Sequence, residues 1–327
     1  MQTVYRVALY FALACILWPG ERNYEIRGRL SPESPAAVSL FGATFPFHAE
    51  TLADDDGRFR FRNLESGEYV VAVFIPGKGE VRQTIEIGPG SADARRRVVL
   101  TIPVGDAARV TGEVLPERAK VSTRELSIPE SARREYAEAQ KSLSRHIAAE
   151  AVEHLKRAVA IAPQFTSAWN NLGTIAYQAK QYARADECFR KALEQNSGSY
   201  EPLVNLGGVL LNENKPAEAM PYNRYAVLSR PHDALANSQL GMNYFMLGDL
   251  KSSREYLEIA KRIDPAHFSY PQLSLARIHL LQNEPELAAR EFRDFLSRHP
   301  DSPESAQVRR QLAALQREAA GTPVTSR

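Results

Sequence analysis

Apolar positions along this chain follow two different periods. In TSAWNNLGTIAYQAK the set Trp169, Leu172, Ile175 and Ala176 falls on one helical face, and in ARADECFRKALEQ the set Ala185, Phe189, Ala192 and Leu193 does the same. Each stretch predicts an amphipathic helix. The polar breaks Lys180-Gln181-Tyr182, Asn214-Lys215-Pro216, Gly248-Asp249-Leu250 and Asn283-Glu284-Pro285 predict turns, with Pro216 and Pro285 suited to a helix's first turn. Before residue 105 the period is two: Tyr24, Ile26, Gly28 and Leu30 alternate with Glu25, Arg27 and Arg29, and Phe59 and Phe61 alternate with arginines in GRFRFRN. Strands are predicted near 24–30, 37–41, 48–53, 58–62, 68–75, 81–87 and 96–104. Seven short strands separated by turn residues predict a β-sandwich.

The helical part repeats itself. Pro163, Pro231, Pro265 and Pro300 are spaced at one or two multiples of about 34 residues, and five units can be laid out from 132, 166, 200, 234 and 269. Small residues recur in register: Ala139, Gly173, Gly207, Gly241 and Ala276 at one position, Ala151, Ala185, Ala219, Ser253 and Ala288 at a second. A third holds Ala158, Ala192, Ala226 and Ala260, with Phe295 breaking the pattern. Larger knobs lie between at Leu155, Phe189, Leu257 and Phe292, with Asn223 as the exception. One hairpin cannot bury both its faces, so neighbours must stack into a superhelix ended by a polar-faced helix, which residues 303–319 supply. Ser127-Ile128-Pro129-Glu130 reads as a capping box opening the first helix.

The stretch WNNLGTIAYQAKQYARADECFRKALEQN, with Trp169, Leu172, Gly173, Ala185, Phe189 and Ala192 at the signature positions, resembles the tetratricopeptide repeat family, and the registered units extend the resemblance over about 132–302. The stretch TLADDDGRFRFRNLESGEYVVAVFIPG resembles the carboxypeptidase regulatory-like, or transthyretin-like, β-sandwich family through Asp56-Gly57, Phe59, Phe61, Leu64, Gly67 and Tyr69. That name implies no peptidase. The zinc motif His-x-x-Glu occurs at none of the histidines. The expected organisation is a signal peptide or N-terminal anchor over 1–20, the sandwich over 21–105, a linker over 106–128, five hairpins over 129–302, a capping helix over 303–319 and a disordered tail over 320–327. The fold class is multidomain, a seven-stranded β-sandwich followed by an all-α superhelix.

At the start, Arg6 precedes an apolar run from Val7 to Trp18, and charge resumes at Glu21. Twelve helical residues span ~18 Å of an ~30 Å hydrocarbon core, which favours an export signal over a membrane span. The protein is therefore expected to be periplasmic, secreted or anchored to the outer side of the membrane. A cut after Ala14 leaving Cys15, a later cut and an uncleaved anchor all stay open. Cys15 and Cys188 are the only cysteines, so no internal disulfide forms once the signal is removed.

Charge narrows the partners. Residues 21–105 hold 11 basic and 12 acidic residues, and the rest of the chain is as evenly balanced, so nucleic acid is not expected as a partner. Arg95-Arg96-Arg97 reads as a solvated edge, with an anionic glycan or lipid headgroup as the alternative. Asp54-Asp55-Asp56-Gly57 lacks the alternating ligands and distal glutamate of a calcium loop and reads as a hairpin turn. His146 and His154 stand eight apart across a turn, and Cys188 reads as a buried small hydrophobe. No nucleophile elbow, phosphate-binding glycine loop or Cys-x-x-Cys pair is present, so no catalytic residue, cofactor or metal is assigned.

The expected function is a non-catalytic scaffold at the cell envelope that binds a protein or extended peptide along the concave groove, with the sandwich as spacer or second contact. A glycan-binding or adhesion role through the sandwich is the alternative. A second stripe on the first helix of each unit should face the groove: Asn170, Asn171, Thr174 and Tyr177, then Glu201, Asn205 and Leu211, then Ser238, Gln239, Met242 and Phe245. Asn171, Asn205 and Gln239 fall in one row. The two-carboxylate clamp of the tail-binding family members uses Lys, Asn, Asn, Lys and Arg, whereas the matching positions here are Tyr136, Gln140, Asn171, Glu201 and Asn205. The missing basic residues imply no affinity for acidic C-terminal tails.

Overall fold

The computed structural model describes residues 24–75, 79–104 and 127–319, and the expected export signal, most of the linker and the tail lie outside them. Seven strands form two sheets: β1 (Tyr24–Ser31), β2 (Ala36–Gly42), β3 (His48–Ala53), β4 (Arg58–Leu64), β5 (Gly67–Ile75), β6 (Gly79–Ile87) and β7 (Arg97–Pro103). One sheet runs β4-β1-β7, with β7 parallel to β1, and the other runs β3-β2-β5-β6, all antiparallel. Alternation sends Ile26, Leu30, Phe59, Phe61 and Ile102 inward from the first sheet to meet Val38, Leu40, Tyr69, Val71 and Ile87 from the second. The aspartate run is a hairpin turn. Gly57 has φ of 69°, which suits glycine, and its N–H donates to the Asp54 carbonyl while the Arg58 N–H donates to Asp54 Oδ1 at 2.7 Å.

Eleven helices follow among the described residues. Five hairpins pair α1 (Glu130–Ser144) with α2 (Ala148–Ile161), α3 (Thr166–Gln178) with α4 (Tyr182–Gln195), α5 (Tyr200–Asn212) with α6 (Pro216–Ser229), α7 (Ala234–Met246) with α8 (Leu250–Ile263), and α9 (Pro271–Leu281) with α10 (Pro285–Arg298). Helix α11 (Ser305–Ala319) lays Val308, Leu312 and Leu315 over the last hairpin's core. The capping box is not formed. Helix α1 begins after Pro129, which leaves Glu130 at the first helical position and Ser127 two residues too early to cap, and the Ser127 hydroxyl instead accepts from Gln164 Nε2 at 3.3 Å.

The small positions are where paired helices cross. A Cβ on Gly173 would stand 2.5 Å from Phe189, one on Gly241 2.8 Å from Leu257, and one on Gly207 2.0 Å from Asn223 Oδ1. The two exceptions to the repeat pattern are both packed. Asn223, fully buried, donates to Asn243 Oδ1 at 2.9 Å, and Asn243 in turn donates to the Pro216 carbonyl. Phe295 is also fully buried and packs against Tyr270 and His299.

The sandwich does not stand apart from the solenoid as a spacer. It lies across the side formed by the first helices of the hairpins, touching the superhelix near both ends. Phe47 packs on His146 in the α1–α2 turn at 4.5 Å, and Gln178 Nε2 at the end of α3 donates to the Gly42 carbonyl at 3.1 Å. At the far end the Thr84 N–H donates to Asp264 Oδ2 at 2.9 Å, and the Gly90 and Ser91 N–H groups donate to the Asp301 carboxylate.

Gly173→Ala tests the helix crossings. Alanine favours a helix over glycine by ~1 kcal/mol, yet overpacking against Phe189 costs ~1–3 kcal/mol, so the variant is expected to melt no higher than the parent. Leu172→Ala, which leaves a cavity, should cost ~2–5 kcal/mol. A raised melting temperature for Gly173→Ala with an unchanged one for Leu172→Ala would contradict the packing register.

Candidate functional site

Between the sandwich and the solenoid lies a chamber of about 500 Å³. One wall is the outward face of the β3-β2-β5-β6 sheet, contributing Phe41, Val70, Arg82 and Thr84. The other is the row of first helices, where the one-unit repeat stacks equivalent side chains. Seven of the groove residues expected from sequence line it: Asn170, Asn171, Thr174, Tyr177, Glu201, Asn205 and Gln239. Four do not. Leu211 is buried in the core of the second and third hairpins, and Met242 packs against the same cluster. Ser238 is buried and accepts from the Ser269 hydroxyl at 2.7 Å, and Phe245 packs by Leu257 and Leu275 beneath Arg277. All four follow the helical stripe, but the superhelix turns Leu211 of the third unit and Ser238, Met242 and Phe245 of the fourth into contacts with neighbouring units.

The amides are held by one another. Asn171 Nδ2 donates to the Tyr136 hydroxyl at 3.1 Å, Asn205 Nδ2 donates to Asn170 Oδ1 at 3.1 Å, and Asn212 Nδ2 donates to the Tyr177 hydroxyl at 2.9 Å. Those bonds use donors and leave acceptors. Two buried polar atoms of the lining, Gln239 Oε1 and Thr84 Oγ1, have no hydrogen-bond partner, although Thr84 is only 2% exposed. Such atoms cost free energy until a donor reaches them. Burial pushes the Tyr136 and Tyr177 phenols up, so both stay neutral. Burial opposes the charge on Arg82, but Glu80 at 2.6 Å outweighs it, and Asp233 and Glu201 act in the same direction.

The wall supplied by the sandwich escaped sequence reasoning. A signal for it existed in β5: GEYVVAVFI is apolar at both parities, as in strands covered on both faces, where a solvated outer face would alternate. The loop acids Asp233 and Asp264 were not singled out either; their carboxylates accept from Ala236 N–H and from Thr84 N–H respectively.

Comparisons agree on the repeat. Residues 166–199 match the tetratricopeptide repeat family model. A segment of 113 residues is 29% identical to the human Cell division cycle protein 16 homolog, covering 32% of this chain and 18% of that relative. Another of 129 residues is 26% identical to Cellulose synthase 1 operon protein C of Komagataeibacter xylinus, covering 36% of this chain and 10% of that protein. The chain thus spans only a small part of the curated relatives it matches. Among solved structures, PilW, described as a type IV pilus biogenesis factor, is 21% identical with a TM-score of 0.49, covering 60% of this chain and 96% of PilW. MamA from Desulfovibrio magneticus RS-1 is 21% identical with a TM-score of 0.48, covering 54% of this chain and 99% of that one. The class defined by the fold is a solenoid of helical hairpins in a tetratricopeptide-like array, one unit of which matches the family model, with a β-sandwich across the side formed by its first helices.

The far end of the docking surface contains buried acids. Burial pushes the Glu86 carboxyl up to about 7, against the Asp301 N–H, which donates to Glu86 Oε2 at 3.1 Å. A folded pKa above the unfolded value means that this group's contribution is intact below about 4.5 and is lost as pH rises through about 7. Glu86→Gln should therefore match the parent's melting temperature at acidic pH and exceed it at pH above 7. Melting curves across that range check the sign, and a lower melting temperature for Glu86→Gln at alkaline pH would contradict it.

Proposed function

We propose that this chain is a non-catalytic interaction scaffold that holds an extended peptide segment of a protein partner in the chamber, and that it acts at the cell envelope. The observation that carries the reading is the row of amide side chains on one wall of the chamber facing Phe41 and Val70, beside Arg82 and Thr84, on the other. An extended backbone brings one N–H and one C=O per residue, which Asn170, Asn171, Asn205 and Gln239 can answer, while Phe41, Tyr177 and Val204 offer apolar contact. A volume of about 500 Å³ suits a short stretch of chain rather than one running the length of the solenoid. With no basic clamp, binding is only weakly sensitive to salt. The envelope reading is supported by the Arg6–Trp18 pattern, and the sandwich is read as a carboxypeptidase regulatory-like module in non-catalytic use. Glycan binding by the sandwich has less support, because Phe45, Phe47, Phe59, Phe61 and Tyr69 are taken up by its core.

A partner recovered by crosslinking pulldown from envelope fractions should bind Asn171→Ala, Asn205→Ala and Tyr177→Ala variants about tenfold or more weakly, once each is shown to fold. Phe245→Ala, outside the chamber, should keep its affinity. Retained affinity in the first three would move the site elsewhere. For location, residues 1–25 fused to a reporter active only outside the cytoplasm should give signal; silence would overturn export.

A further inference from the structure

The sandwich turns its other sheet away from the solenoid, and the exposed face of that sheet is built largely of arginine. Alternation places Arg27 and Arg29 of β1, Arg58, Arg60 and Arg62 of β4, and Arg97 of β7 on it. The register sets Arg27 directly opposite Arg60 and Arg29 directly opposite Arg58. Like charges directly opposite on an antiparallel pair repel and cost stability. Keeping a face soluble needs no such register, since interspersed signs do so without repulsion. Glu25 is the one carboxylate within this face, and it pairs with both Arg27 and Arg60. Glu33, Asp56 and Asp93 answer Arg29, Arg58 and Arg97 from the rim. Arg62 has no carboxylate partner among the described residues, and Val99, 75% exposed, sits beside Arg27.

The sandwich as a whole is close to neutral, yet its arginines are concentrated on one sheet. Glu68, Glu80 and Glu86 lie on the sheet facing the solenoid with Arg82 as its one arginine, and six arginines lie on the opposite sheet. Exposed ion pairs of this kind contribute little net stability, so a stronger anion can replace the rim carboxylates. Guanidinium groups bind phosphate bidentately and do so with less desolvation cost than ammonium groups.

We infer that this arginine face is a docking surface for a layer of anionic lipid headgroups. Its occupant is identified by charge complementarity and by where the chain leads. Strand β1, the middle strand of the sheet, begins at Tyr24, and the apolar run ending at Trp18 lies six positions earlier, a reach of at most ~20 Å. A lipid-associated state of that run keeps the start of β1 within that reach of the headgroups, and clusters of this size beside an apolar segment draw anionic lipid. Val99 supplies an apolar contact among the charges. A free polyanion gains nothing from the apolar run.

The full chain is mixed with vesicles of about 30% phosphatidylglycerol in phosphatidylcholine, or of phosphatidylcholine alone, and labelled with phenylglyoxal. Mass spectrometry then reads each arginine. Arg27, Arg29, Arg58, Arg60 and Arg62 should lose reactivity severalfold with the anionic vesicles only, while Arg184 and Arg290, exposed on the second helices of their hairpins, stay unchanged. This comparison reads the face itself, so attachment through the apolar run does not mimic it. The Arg27→Gln/Arg60→Gln variant, once its melting curve shows that it folds, should bind the anionic vesicles ~fivefold more weakly per arginine removed. Equal labelling on both vesicle types would overturn the proposal. So would protection by heparin or duplex DNA in its absence with vesicles, which would assign the face to a soluble polyanion.

Discussion

The architecture depends on a few carboxylates of the solenoid's inter-repeat loops that accept hydrogen bonds from backbone amides of the sandwich. Asp264 takes the Thr84 N–H at the free edge of β6, and Asp301 takes those of Gly90 and Ser91 just beyond it. An edge strand carries unpaired N–H groups that must be satisfied or left in water, and here they are satisfied by charged acceptors, which make stronger bonds than neutral ones. The approach is close enough that a Cβ on Gly88 would stand 2.4 Å from Asp301 Oδ2. Side chains at this point would push the two parts of the molecule apart.

That docking changes what the solenoid is. Stacked hairpins contact only their neighbours, and a superhelix built this way has an open inner surface along its length. A sandwich held at the α1–α2 turn by Phe47 on His146 and at the last hairpin by Asp301 converts the open surface into a bounded chamber. Buried polar atoms left without partners there, Thr84 Oγ1 and Gln239 Oε1, belong to different walls, so the chamber's chemistry exists only in the docked arrangement. The sandwich's two outer faces differ accordingly: Glu68, Glu80 and Glu86 lie with Arg82 on the sheet toward the solenoid, and most of the arginines lie on the opposite sheet.

Sequence periodicity determined a large part of this protein. The switch from period two to three-four spacing separates strands from helices, because each period is a direct consequence of where successive side chains point. The register of small residues located the hairpin crossings, since Gly173 and Gly241 have no room for a Cβ beside Phe189 and Leu257. Asn171, Asn205 and Gln239 could be placed in one row because stacked repeats preserve position, and they do line one wall. Tertiary structure alone decided the rest. Whether Leu211, Ser238, Met242 and Phe245 face a groove or a neighbouring helix depends on the curl of the superhelix, which sums small rotations that no local pattern records. The second wall is likewise a contact between residues about 180 positions apart, Thr84 with Asp264, and it leaves only a faint trace in the chain, the doubled apolar parity of β5. Local spacing dictates which way a side chain points within its element, whereas the surface that it meets is set by long-range packing.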